Sequence, residues 1–492
     1  MAQRRQFSGA FKVEAAGTAK RLRLFCCILG VLAILADARA QDYYIDPANG
    51  SDSNDGSASA PWKSFRNAIS YYQPDYRPAG WIELKPGDCV NLMNGVYSEM
   101  LHPGEWNKGP TGGGSFVAYF RGKRADKDNP FRIRAYPGHK PIMDPKGQGF
   151  GLSIFQSSGW EVEGIEVRNA YGRGISLDES KEIEVHNVHI HDTDGVDNNN
   201  IAGLYITDCW DVEIHDCVFN DNYDRTCADT GGGATENSTN VVIFGGMEGG
   251  NIAIHDCLVY QSLPLSDRLS GGGIKYKHAS RVPDAYFRAY NNVFKNCKFF
   301  AFGSGTANTH FHHNIIIGGG GISSRDFGGV THQVNQVFEY NTIYNSSGFQ
   351  MNPTIEWRNE KFPDDPRNII FRENIVVDAA ESYSAERGIV TIGTYMSDEV
   401  YRAVVSELKF EDNCYYNPHR TVQFNIAAGF NYKEGFREGD TYSLREWRDK
   451  YGYDSGSLEL DPLFADAQNG DFRLRAGSPC GDMGRYAGDG KP

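Results

Sequence analysis

From about residue 160 the chain repeats one short phrase: an apolar residue, two further positions, then Val, Cys or Asn, with more apolar residues behind. It occurs as VHNV ending at Val188, IHDC ending at Cys217, and IHDC again ending at Cys257. It continues as AYNN, FHHN, FEYN, FREN and FEDN, ending at Asn292, Asn314, Asn341, Asn374 and Asn413. The spacing between successive copies varies from 22 to 40 residues. A constant element joined by connections of variable length marks a solenoid with loops on selected edges. The apolar runs are short and broken by Asn and Gly, which disfavours helical repeats. Each copy therefore reads as one coil of a parallel β-helix, all-β in class, with inward positions stacked into one elongated core and Asn able to hydrogen-bond along the stack.

Exposed strand edges at the ends of such a stack need covering. Residues 62–72, "WKSFRNAISYY", place apolar groups at Trp62, Phe65, Ile69 and Tyr72, the spacing of a short amphipathic capping helix. Near the other end, residues 460–484 read as a closing hairpin, and residues 418–459 lack the repeat. The pattern predicts a cap over 41–80, the β-helix over 81–417 and a C-terminal cap with side loops over 418–492.

The first forty residues stand apart. Arg21 and Arg23 precede an apolar run from Leu24 to Ala36, and Ala38-Arg39-Ala40 offers a small-residue cleavage site. This is the pattern of a secretory signal peptide, and the run is too short for a membrane span. The expectation is an exported, extracellular or periplasmic chain with no membrane span once the signal is removed. Of 49 Lys/Arg and 63 Asp/Glu, the first forty residues hold seven and two, so the remainder carries a net charge of about −19. Such a chain is a poor nucleic-acid binder, and it must gather cations locally to handle an acidic ligand. Eight cysteines remain after residue 40. They permit disulfides in an exported chain or stack as small apolar residues, and their pairing is unreadable from sequence. Oligomeric state is equally unreadable.

"YYIDPANGSDSNDGSASAPWKSFRNAI", "LKPGDCVNLMNGVYSE", "NPFRIRAYPGHKPIMD" and "DPLFADAQNGDFRLRAGSPC" together resemble the right-handed parallel β-helix superfamily of pectate-lyase-like proteins. Within it, the order of these phrases and the Gly273-Ile274-Lys275 strand are most similar to family nine pectate lyases. The superfamily holds lyases, hydrolases, epimerases and adhesins, so the likeness bears more on fold than on activity.

"LSGGGIKYKHAS" (269–280) carries the leading candidate chemistry. Strand alternation sends Lys275 and Lys277 to one face, and Ile274 and Tyr276 to the other. A polysaccharide lyase removes the proton beside a uronate carboxylate, and a lysine can do so if a neighbouring cation helps to keep it unprotonated. The resemblance implies Lys275 as the base. Lys277 is then expected to bind the substrate carboxylate, although the two roles could be reversed. The bland alternative is a solvated lysine pair. His278 follows at an expected bend, as a substrate contact or a plain turn residue.

Two acidic loops precede this strand. One supplies Asp192, Asp194 and Asp197, and the other Asp221, Asp224, Asp229 and Glu236. Clustered carboxylates suit calcium, and the expected ligands are Asp194, Asp197, Asp224, Asp229 and Glu236; solvated Asx-type turns are the alternative. The paired-aspartate motif of family nine is absent, with "NNNIAGLYI" and "TENSTNVVI" in its place. Arg325, two coils on, can hold a carboxylate bidentately. His310, His312 and His313 read as coil surface, and Tyr205 and Trp210 could stack on sugars. The sequence thus predicts a β-eliminating lyase acting on an acidic polysaccharide. The alternatives are a glycoside hydrolase with paired Asp/Glu and a non-catalytic carbohydrate-binding surface protein.

Overall fold

The computed structural model describes residues 40–102, 115–195, 200–223, 238–263, 271–325 apart from 279, 332–352, 367–378, 388–393, 406–427, 430–431, 435–436 and 440–487. The signal-peptide expectation falls outside this range. So do Asp197, Asp224, Asp229 and Glu236. No described helix is long and apolar enough to cross a membrane.

Residues from Asp42 onward form one compact unit built on three sheets, each of twelve described strands and parallel except where Asp440–Tyr442 ends the third sheet antiparallel to Phe424–Ala427. Each coil visits them in the same order: sheet 1 (for example Lys181–His186), sheet 2 (His189–His191), then sheet 3 (Ala202–Thr207). Strands pair with the equivalent strands one coil before and after, so the residues on any face form columns running along the axis, with rungs about 4.8 Å apart.

The repeat phrase is the corner between sheets 1 and 2. Its third residue takes a left-handed conformation in every coil, as at Asn187, Asp216, Asp256, Asn291, His313, Tyr340, Glu373 and Asp412. Asn and Asp tolerate that region better than other non-glycine residues. The fourth residue turns inward. Val188, Cys217 and Cys257 pack in the core, and the five asparagines that follow are fully buried. Each asparagine amide donates to the next coil: Asn292 to Asn314 (3.0 Å), Asn314 to Asn341 (3.0 Å), Asn341 to Asn374 (2.9 Å) and Asn374 to Asn413 (3.1 Å). The row ends on Asp454 of the C-terminal cap, 3.1 Å from the Asn413 amide. A buried amide left unpaired costs about 1–3 kcal/mol, so every rung holds its neighbours in register.

The cap contains helix Leu444–Tyr451, closed by a Ser443–Glu446 capping box. Its Trp447, fully buried, covers Phe410 and Phe424 of the last coils, with ring centroids 5.8 and 5.2 Å away. The stack itself runs past residue 417: Phe424–Ala427 still pairs in parallel with Val390–Gly393. Cys414 and Cys480 form a disulfide, which ties the last coil to the chain end. Cys89, Cys209, Cys217, Cys257 and Cys297 are unpaired and buried. At the N-terminal end the expected amphipathic helix shortens to one 3-10 turn, Phe65–Asn67. Trp62, Phe65 and Ile69 are buried as expected, but side-chain bonds compete with helix formation. The Asn67 amide donates to the Asp52 carbonyl, and the Ser70 backbone leaves to pair with Tyr119.

The outer face of sheet 1 carries a column of stacked rings. His186, His215, His255, Tyr290 and His312 sit on successive coils, with centroids 4.6–5.1 Å apart and planes within 9° of parallel. His215 is pushed down by burial, but Asp216 (2.8 Å) and Glu184 (3.0 Å) on its two ring nitrogens outweigh that and raise it above its ordinary 6.5. Folding therefore favours the proton, and this stabilisation is complete below about pH 6.5 and lost as the pH rises through the folded value. The stability advantage of the wild-type chain over His215→Gln in urea melts should shrink from pH 6 to pH 9. An advantage that stayed constant with pH would contradict this reading.

Candidate functional site

Strand Gly272–Lys277 lies mid-stack in sheet 3. Ile274 and Tyr276 point into the core and are fully buried, which leaves Lys275 and Lys277 on the outer face. Outward does not mean solvated here: Lys275 is 1% exposed and Lys277 9%. The Lys275 ammonium lies 5.7 Å from the Phe300 ring, and that of Lys277 lies 5.7 Å from Phe244. Lys277 Nζ donates to Asn200 Oδ1 at 3.2 Å. Asn200 ends the first acidic connection, so that connection reaches the lysine strand. The glycines before the lysines have a packing cause. A Cβ on Gly273 would stand 2.1 Å from the Ala301 carbonyl oxygen, and one on Gly272 would meet the Phe300 ring.

Register defines the rest of this face. One column runs Ser176, Tyr205, Val242, Lys275, Gly303, Ser323. The next runs Asp178, Thr207, Phe244, Lys277. Arg325 follows Ser323 by two residues, as Lys277 follows Lys275, so it continues the second column two coils on. It is half-buried. Lys277 and Arg325 are thus about 10 Å apart along the axis, as are Lys275 and Tyr205. His278 takes a left-handed bend (φ 58°) directly after the strand, its ring 4.9 Å from Phe244.

Two residues on this face went unread in the sequence. The Arg173 guanidinium sits 3.4 Å from the centre of the Tyr205 ring and donates to Ser176 (2.9 Å) and Asp178 (3.3 Å). Arg173 occupies one face of Tyr205, and the Phe244 ring of the following coil lies 5.2 Å from it, so Tyr205 is a packed residue of this face. Burial pushes the Asp178 carboxyl up despite Arg173, and pushes the Tyr205 phenol up as well. The signal available was the pattern R-x-x-S-x-D at 173–178, whose polar residues cluster at one strand. Trp210 does not share the face. It opens strand Trp210–His215 of sheet 1, opposite Lys181 and Gly250, and packs partly against the core.

The described carboxylates do not assemble a calcium cage. Asp192 accepts from His191 Nδ1 at 2.6 Å, Asp194 Oδ1 accepts from the Gly195 amide at 2.8 Å, and both Asp221 oxygens are engaged by Ser262 and Asn220. Asp194 belongs to none of the ligand clusters among the described residues.

A separate cleft of about 190 Å³ opens on the outer face of sheet 1. Glu161, Glu184 and Glu213 line it on three successive coils, with Trp160, Tyr286 and Arg288 beside them.

The three-sheet stack places the chain in a recognised class. A family profile described as right handed beta helix region matches residues 145–261, and the molecule is a right-handed parallel β-helix. No curated protein sequence matches it. Among solved structures, pectate lyase Pel9A aligns at 13% identity and a TM-score of 0.45, covering 92% of this chain and 93% of that one. The PL6 family polysaccharide lyase Pedsa3628 from Pseudopedobacter saltans aligns at 12% and 0.45, covering 82% and 95%. The GH136 lacto-N-biosidase from Eubacterium ramulus aligns at 15% and 0.43, covering 82% and 68%.

Proposed function

We propose that the protein is an exported polysaccharide lyase that cleaves a uronate-containing polymer by β-elimination on the outer face of sheet 3. The observation that carries this reading is the pair Lys275–Lys277: two lysines withdrawn from bulk water on one strand, in register with Arg325 and Tyr205. Charged side chains are seldom this buried without a specific reason. In the proposed step the neutral Lys275 amine takes the proton on the carbon beside the uronate carboxylate. The electron pair of the broken carbon–hydrogen bond becomes the new carbon–carbon double bond, and the glycosidic oxygen departs with its bonding pair and takes a proton from water. Charge that develops on the carboxylate is met by Lys277 and Arg325, which can act as charge-assisted donors. The carboxylate would replace Asn200 at Lys277. Calcium as a helper now rests on loop residues outside the described range, and chelation is its test.

A second reading draws on the sheet 1 cleft. Neighbouring rungs there separate carboxylates by about 5 Å and alternate rungs by about 10 Å, near the separations used by retaining and inverting glycosidases.

One assay separates the readings. The secreted chain is incubated with a panel of uronate polymers, with and without chelator, and ultraviolet absorbance and reducing ends are followed together. Elimination gives both signals. Reducing ends without absorbance would transfer the function to the sheet 1 carboxylates, and neither signal would leave a carbohydrate-binding protein.

A further inference from the structure

We propose that Glu166, His189 and His191, on the outer face of sheet 2, form a site for one divalent transition-metal ion of the zinc class. His189 and His191 alternate on one strand around Ile190, which is fully buried, so both rings stand on the outer face with centroids 4.4 Å apart. Glu166 lies directly opposite His189 on the preceding coil. One ligand atom from each of the three residues falls within 4.8 Å of the other two. Zinc bonds to His nitrogen and carboxylate oxygen are about 2.0–2.2 Å long, so small side-chain rotations bring this set around one ion. Two imidazoles and one carboxylate also make a donor set that selects zinc-like ions over calcium.

The surrounding hydrogen bonds hold both rings in place. Asp192 takes the Nδ1 proton of His191 at 2.6 Å, and Nε2 donates to Glu166, 3.3 Å away, a proton that an ion bound there would displace. The Asn220 amide is committed to Asp221 at 2.8 Å, so its oxygen accepts from His189 Nε2 at 2.7 Å and leaves Nδ1 as the lone-pair atom. A second partner fixing the tautomer of a ligating histidine is the usual support of a metal site. Arg168 also contacts Glu166 (3.3 Å), and its Nε is held by Asp144 at 3.0 Å. Three protein ligands leave a fourth position to water or an incoming oxygen ligand. The ion would clamp two successive coils at the corner where the chain leaves for sheet 3.

The test uses the full chain stripped of metal and titrated with Co²⁺, then with Zn²⁺. One equivalent of Co²⁺ is expected, with the visible spectrum of a low-coordinate nitrogen–oxygen site, displaced by Zn²⁺ and not by Ca²⁺. The double variant His189→Gln/His191→Gln should lose at least 100-fold in affinity, and Asp192→Asn about 10–100-fold. No uptake by the wild-type chain would overturn the proposal. So would uptake that survives the double variant, which would assign the metal to the ring column of sheet 1 or to the cysteines. Should the double variant fail to fold, Glu166→Gln alone carries the same readout. Cobalt binding without any elimination would leave this site standing and sink only the lyase reading.

Discussion

Lys275→Met is expected to lower the elimination rate by about 10²–10⁴-fold, the usual contribution of a general base, while the chain stays folded. Methionine is the informative replacement because Lys275 is 1% exposed and its stem is packed. Alanine would add a cavity beside Phe300 and mix a folding defect with a chemical one. Lys277→Met should instead mainly raise KM, since its assigned partner is the carboxylate of the substrate. Initial rates on the best polymer of the panel, with thermal midpoints measured in parallel, decide the matter. If Lys275→Met keeps most of its rate and Lys277→Met is inactive, the two roles are exchanged. If both remain active, the site lies elsewhere.

The largest expected effect on stability belongs to Asp454. Its carboxylate is fully buried and accepts from the Asn413 amide (3.1 Å), the Tyr415 hydroxyl (3.2 Å), Trp447 Nε1 (3.1 Å) and the Ser457 hydroxyl. Burial pushes this carboxyl up, while the four donors pull it down. Asp454→Ala leaves all four donors buried without their acceptor, a change expected to cost about 3–5 kcal/mol. Asp454→Asn keeps the shape but turns an amide donor toward other donors, and should cost less, about 1–3 kcal/mol. In urea melts the midpoint should fall with the slope unchanged. A midpoint within error of wild type for Asp454→Ala would mean that the cap contributes little to cooperative unfolding.

The β-helix was legible because the corner between sheets 1 and 2 has the same geometry in every coil, so the same residue types recur there whatever the loops do. The alternation of Lys275 and Lys277 against Ile274 and Tyr276 was legible for the same local reason. Their burial was not, because it depends on neighbouring coils. Nor was the placement of Trp210, which comes two residues after the left-handed turn at Asp208 and so opens a strand of sheet 1 instead of extending sheet 3. Arg173 and Asp178 escaped because column membership depends on coil register, which connections of such variable length conceal. The Glu166–His189–His191 cluster was hidden similarly: the two histidines are visible as H-x-H, but the opposing glutamate is 23 positions before His189. The N-terminal helix failed because apolar spacing ignores Asn67 and Ser70, whose bonds draw the backbone elsewhere.

The asparagine row between Asn292 and Asn413 has a direction, since each bond from one asparagine to another runs from an amide to the side-chain oxygen of the next coil toward the C-terminal end. A directional row can be lengthened or shortened by whole coils, because removing Asn341 with its coil lets Asn314 meet Asn374 as an equivalent partner. It cannot be reversed, and it cannot end on a residue that only donates. The C-terminal cap therefore acts as a terminator that any number of preceding coils can share. Solenoids of different length could be built from this one by splicing between these two asparagines, provided that Asp454 is kept.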